Sequence, residues 1–122
     1  MSLDLQAADL LERTADAFES GQLGWCKGRM VDAEGNVCAA GALRKMSGRW
    51  ETIPLPHDRR ARELAEQHVP PIPRLKLSPT DGWVEIVQES NLAIWNDNVA
   101  RSVSDVIELF KHTAKEIRNG GQ

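Results

Sequence analysis

The spacing of apolar positions predicts a helix at the start of the chain, over residues 3–19. Largely apolar side chains recur there every three or four positions, as they do on one face of an α-helix. They are Ala7, Leu10, Leu11, Thr14 and Phe18, with Ala8 and Ala15 widening the face. Ser20 and Gly21 follow this pattern, and such residues commonly end a helix.

The next segment favours turns and then a second helix. Residues 25–30 alternate in polarity, and residues 32–36 form a turn sequence in which Gly35 or Asn36 can adopt the left-handed conformation. We expect a short β-hairpin or an irregular pair of loops here. The Ala- and Leu-rich stretch Cys38–Met46 predicts a helix that Ser47 and Gly48 end.

Proline positions divide the middle of the chain. After Pro54 and Pro56, the amphipathic spacing predicts a helix over Asp58–Val69. The run Pro70-Pro71-Ile72-Pro73 ends it and predicts extended, polyproline II backbone.

Two Ser-x-x-Asp sequences resemble helix starts in the last third of the chain. Ser78-Pro79-Thr80-Asp81 predicts a helix as far as Glu89, although the residues at 83–87 also suit a strand. Ser102-Val103-Ser104-Asp105 precedes a clear helical spacing and predicts the terminal helix, which ends near Asn119.

These elements predict a mainly α protein. We expect a compact bundle of four or five helices with a small β-hairpin or irregular insertion after the first helix, in a single domain spanning residues 1–122. Hydrophobic residues make up 41% and charged residues 27% of the 122 positions, which is typical of a globular chain.

Charge argues against nucleic acid as a partner. The 15 Lys and Arg residues are outnumbered by 18 Asp and Glu residues, for a net charge of −3. A basic run at residues 59–62 is followed by Glu63 and Glu66, which offset it. No apolar run reaches the roughly 20 residues that span a bilayer, and no secretory signal is recognisable at the start, so we expect a cytoplasmic protein that does not bind membranes.

The two cysteines suggest neither a disulfide framework nor a metal site. In a reducing cytoplasm both are expected to be thiols. Cys26, Cys38, His57 and His68 lie twelve, nineteen and eleven residues apart in turn, without the close pair that zinc sites use. A phosphate-binding loop is also missing, and we expect no metal and no cofactor.

Two short motifs resemble those of a known family. They are Cys38-Ala39-Ala40-Gly41-Ala42 and Trp95-Asn96-Asp97, placed between an amphipathic first helix and a capped last helix. In this order they resemble a family of small proteins of unknown function in actinobacteria and their bacteriophages, mycobacteriophages included. The resemblance covers most of the chain apart from residues 50–92, and it implies no catalytic residue.

Cys38 is the strongest candidate for chemistry. A thiol in the first turn of a helix faces unpaired amides, which favour the thiolate. The alternative function is therefore a cysteine-dependent hydrolase or transferase, with His57, His68 and Asn96 as partners of Cys38. We favour a buried structural cysteine packed beside Ala42, and therefore a protein that is not an enzyme.

The Trp-Asn-Asp motif has two interpretations. We favour a core Trp95 followed by two side chains that fix loops, because Asn and Asp bond well to nearby backbone amides. Alternatively, Asn96, Asp97 and Arg101 line a polar pocket near Cys38.

Large apolar residues lie among the prolines of the connecting segments. They are Trp50, Ile53, Leu55, Ile72, Leu75 and Leu77. Exposed apolar clusters mark interfaces, so we predict that these residues bind a protein partner. The resemblance to phage proteins implies that the partner is a host protein; the oligomeric state stays open.

Overall fold

A computed structural model describes residues 2–48 and 53–120. In this part of the chain five helices and one antiparallel hairpin are present, so the prediction of a mainly α protein is confirmed. The elements are α1 (Leu3–Glu19), α2 (Ala39–Met46), α3 (Pro56–Glu66), β1 (Ile72–Leu77), β2 (Val84–Glu89), α4 (Leu92–Asn98) and α5 (Val103–Gly120).

Helix α1 is the centre of the bundle and packs against α2, α3 and α5. Its four alanines and the leucines Leu10 and Leu11 are buried on a broad face, and small side chains let the neighbouring helices approach closely. Buried Thr14 fits this apolar surface because its hydroxyl donates to the carbonyl of Leu10 at 2.7 Å. Thr113 on α5 uses the same bond, to Leu109.

Three further predicted helices form as α2, α3 and α5, with small shifts at their ends. α3 begins at Pro56, two residues earlier than expected, because proline suits the first helical position. It ends at Glu66 rather than Val69. α5 starts as predicted, and the Asp105 carboxylate accepts the backbone N–H of Arg101 at 2.7 Å.

No hairpin forms between α1 and α2 among the described residues. Val37 instead makes two isolated bridges, parallel with Trp25 and antiparallel with Val31. The irregular pair of loops is therefore the correct alternative. The Asp32 side chain holds the intervening turn by accepting the backbone N–H groups of Glu34 and Asn36.

The helix predicted over residues 78–89 is wrong, because this segment forms a turn and strand β2. Asp81 accepts the N–H of Trp83 at 3.0 Å, and Gly82 adopts φ +73°, a left-handed conformation that interrupts any helix. Ser78 does not cap a helix; its N–H donates to the Trp83 carbonyl at 2.7 Å and closes the hairpin. The small β-hairpin thus lies between α3 and α4.

The hairpin attaches to the helical body at its open end. Ile72 packs against the hydrophobic core, and the Ser90 hydroxyl donates to the carbonyl of Val69 at 2.9 Å. Toward the turn both strands are exposed. None of the helices in the described residues is long and apolar enough to cross a membrane.

Candidate functional site

The two motif segments meet at the side chain of Asn96, which is fully buried. Its oxygen accepts the indole N–H of Trp25 at 2.6 Å and the backbone N–H of Ala39 at 3.0 Å. Its nitrogen donates to the carbonyl of Cys26 at 3.1 Å and to the Asp97 carboxylate at 3.0 Å. All four hydrogen-bonding positions of the amide are filled from within the chain, so Asn96 presents none of them to a ligand.

Asp97 extends this bridge to the loop between α1 and α2. One carboxylate oxygen accepts the backbone N–H of Gly28 at 2.9 Å. Trp95 is 8% exposed and belongs to the core. Arg101 is exposed, and its backbone bonds to Asp105 rather than to Asn96 or Asp97. This is the geometry of a core tryptophan followed by two loop-fixing side chains.

Cys38 is the N-cap of α2 and is buried, at 3% exposed. Its sulfur accepts the backbone N–H of Gly41 at 3.3 Å, which satisfies one amide of the first helical turn. Gly41 is required beside it, because a Cβ atom there would lie 2.4 Å from the carbonyl oxygen of Met30.

The structure does not join the residues of the cysteine-enzyme alternative into one group. His57 lies in the first turn of α3, and the exposed ring of His68 meets the ring of His112 edge to face, with centroids 4.8 Å apart. Neither histidine hydrogen-bonds to Cys38 within the described residues. Asn96 comes near Cys38 only through the adjacent amide of Ala39.

Cys26 is the more accessible thiol, but its surroundings do not activate it. Burial and the nearby carboxylate of Asp32 raise its pKa, which keeps it protonated. Its sulfur lies 3.4 Å from the carbonyl oxygen of Arg29 and 3.3 Å from that of Asn36. Residues 2–48 and 53–120 contain no group of three or more His, Cys, Asp or Glu side chains that could hold a metal.

A cavity of about 480 Å³ lies beside the histidine pair, at α4 and α5. His68, Trp95, Asp105, Glu108 and His112 are among its lining residues. Most of these side chains are charged or polar and exposed, and none is among the residues predicted for chemistry except His68. We therefore assign no reaction to this cavity.

Most of the strongly exposed large apolar side chains lie on the hairpin. By register, Leu75 lies opposite Ile86 and Leu77 opposite Val84, so alternation places all four on one face. Their exposed fractions run from 62% for Val84 to 73% for Leu75. We call this set the aliphatic face. The opposite face carries charged residues, and there Arg74 pairs with Glu89 at 2.8 Å.

The predicted partner-binding residues divide between this face and other places. Leu75 and Leu77 belong to the aliphatic face. Ile53 is 80% exposed outside it, whereas Leu55 and Ile72 are half-buried. Trp50 lies outside the described residues.

A comparison with models of protein families identifies the family of this chain. The profile of DUF6197, a family of unknown function, matches residues 2–116. The chain belongs to this family. No curated protein and no solved structure matches the chain.

The DUF6197 match spans both motifs and the hairpin. Sequence analysis missed three exposed residues of this hairpin, namely Trp83, Val84 and Ile86. The pattern that could have found them is the Asp81-Gly82 turn followed by apolar residues at 84 and 86 with Glu85 between them.

Proposed function

We propose that this DUF6197 protein acts by binding another protein, and that the aliphatic face of the hairpin is its binding surface. The observation that carries the proposal is the alignment of Leu75, Leu77, Val84 and Ile86 on one exposed face. A contiguous apolar patch of this kind is a common mark of an interaction site.

The stability of the hairpin supports the same conclusion. A two-stranded sheet is marginal in water unless further strands or a helix cover its apolar face. Here Ile72, at the base of the other face, packs against the helical core, and Val87 and Glu89 on that face are half-buried. A partner that covers the aliphatic face would bury the side chains that the chain itself leaves exposed.

The resemblance to small proteins of actinobacteria and their phages supports a more specific proposal. The protein is encoded by a phage or an actinobacterium, works in the cytoplasm and binds a host protein. The buried, fully bonded Asn96 and the capping role of Cys38 agree with a binding protein rather than an enzyme.

Affinity capture with matched variants tests the proposal. Tagged protein is incubated with an actinobacterial lysate, and retained proteins are quantified by mass spectrometry. Leu75→Glu places a charge on the aliphatic face, whereas Thr80→Glu places the same charge in the exposed turn beside it. We expect Leu75→Glu to lose specific partners at least tenfold, about 1.4 kcal/mol, while Thr80→Glu retains them.

Two results would contradict the proposal. Equal retention by Leu75→Glu and wild type would remove the aliphatic face from the interaction. Loss with Ile53→Glu but not with Leu75→Glu would move the interface to the connector before α3.

A further inference from the structure

Each strand of the hairpin has an outer edge, where backbone N–H and C=O groups point away from the other strand. The hydrogen bonds between the strands show which residues have their backbone groups at this edge. The N–H of Ser78 donates to the Trp83 carbonyl, so these two residues are a hydrogen-bonded pair. Hydrogen-bonded pairs alternate with non-hydrogen-bonded pairs along an antiparallel ladder, so Lys76 with Glu85 and Arg74 with Val87 are also hydrogen-bonded pairs. The backbone groups of residues 73, 75 and 77 on β1, and of 84, 86 and 88 on β2, therefore point outward.

These edges differ in how well they are protected. β1 has Pro73 at an outward position, where it offers no N–H, and it also carries Arg74 and Lys76. Proline and charged residues, lysine above all, discourage pairing at a sheet edge. β2 has no proline and no lysine, and the outward groups of Val84, Ile86 and Gln88 bond to nothing else in the described residues. Of the two strands of the hairpin, β2 is therefore the one with an N–H at every outward position, and its charged residues, Glu85 and Glu89, restrict the register in which it can pair.

We propose that a second copy of this chain pairs with this edge, β2 against β2, antiparallel about a two-fold axis at Ile86. Each of Val84, Ile86 and Gln88 then supplies one N–H and one C=O to the other copy. Because the axis is perpendicular to the sheet, the aliphatic faces of the two hairpins lie side by side on a four-stranded sheet.

Charge selects the register. Two alignments of β2 with β2 of the second copy obey the two-fold symmetry and pair five residues of each strand. Pairing Ile86 with Gln88 would place Glu85 directly opposite Glu89 of the second copy, which is destabilising. Pairing Ile86 with Ile86 places Glu85 opposite Val87 and Val84 opposite Gln88, so no like charges oppose each other directly. The strand is self-complementary in this one alignment.

Proline substitutions on the two edges give a matched test. Leu75 and Ile86 lie opposite each other, are similarly exposed on the same face, and both point their N–H outward. Ile86→Pro and Leu75→Pro therefore remove the same kind of donor from β2 and β1 and leave the inner ladder intact. In sedimentation equilibrium we expect wild type and Leu75→Pro to form dimers, and Ile86→Pro to weaken dimerisation at least tenfold.

Cysteine substitutions at the same two positions test the register without a proline. Opposite residues of a hydrogen-bonded antiparallel pair have Cα atoms about 5.5 Å apart, within the range that a disulfide spans. Mild oxidation should join Ile86→Cys chains into a covalent dimer, while Leu75→Cys chains stay single. Circular dichroism verifies that each variant retains its helices.

Several outcomes would overturn the pairing. Wild type that stays monomeric up to about 1 mM, with no Ile86→Cys dimer beyond the Leu75→Cys level, excludes it. Equal loss of dimer with both prolines would assign association to the aliphatic faces instead. If the wild type is monomeric and the Leu75→Glu variant loses its lysate partners, the pairing is wrong and the proposed function stands.

Discussion

The carboxamide oxygen of Asn96 accepts the indole N–H of Trp25 at 2.6 Å, joining α4 to the loop that precedes α2. The same oxygen accepts the amide of Ala39 at the start of α2. One buried side chain thus fixes a loop and a helix end that would otherwise leave donors without partners. This bridge explains why the two motif segments, which are far apart in the sequence, belong together.

Replacing Asn96 should be strongly destabilising. Asn96→Ala leaves the Trp25 indole, the Ala39 amide and the Cys26 carbonyl without this partner, and we expect a loss of about 3 kcal/mol in unfolding free energy. Urea denaturation followed by circular dichroism measures it. The control is Asn98→Ala, whose exposed side chain donates to the carbonyl of Ile94 and should cost less than about 1 kcal/mol when removed. Equal losses would refute the bridging role.

Gly41→Ala should also destabilise the fold, by more than about 2 kcal/mol. The added Cβ atom would meet the Met30 carbonyl oxygen at 2.4 Å, and backbone on both sides must shift to relieve the clash. Gly120→Ala is the matched control, because that position at the end of α5 has open space around it. Thermal unfolding compares the two. Retention of the wild-type Tm in Gly41→Ala would show that the loop moves away freely.

Cys38 should behave as a cap and not as a nucleophile. We expect Cys38→Ala to lower the unfolding free energy by about 1 kcal/mol, since it removes the acceptor for the Gly41 amide. Cys38→Ser should lose less, because its hydroxyl can still accept that bond. Native protein treated with iodoacetamide at pH 7 should be alkylated at Cys38 only as it unfolds. Rapid, selective labelling of Cys38 would revive the enzyme alternative.

Asp58 gives a prediction for pH. Burial raises its pKa, while the charges of Arg44, His57 and Arg62 partly oppose that shift. The folded state therefore holds this proton more tightly than the unfolded state, and its contribution to stability falls as pH rises from about 4 through the raised pKa. Asp58→Asn has no carboxyl group to titrate here, so its stability does not fall for this reason as pH rises. Its stability relative to wild type should increase between pH 4 and pH 7 in urea titrations, and a decrease would contradict the assignment.

Helices α1, α2, α3 and α5 could be predicted because their evidence is local, whereas α4 was not predicted. The apolar spacing of α1, α3 and α5 and the alanine-rich start of α2 each act within a few residues. The prediction of a helix start at Ser78-Pro79-Thr80-Asp81 was wrong because it, too, depended on local evidence. Its residues suit a helix start and a turn equally well, and the choice depends on β1, which supplies the pairing partner of β2.

The sequence by itself determined a mainly α chain with a long last helix, and it pointed to Cys38, Asn96 and Asp97 as residues of interest. Only the tertiary structure decided what these side chains do, because three of the four partners of Asn96 lie 57 to 71 positions away. It also decided which apolar residues stay in solvent. Burial depends on what packs over a side chain, and Ile72 and Leu75 differ in this although both lie on the same short strand.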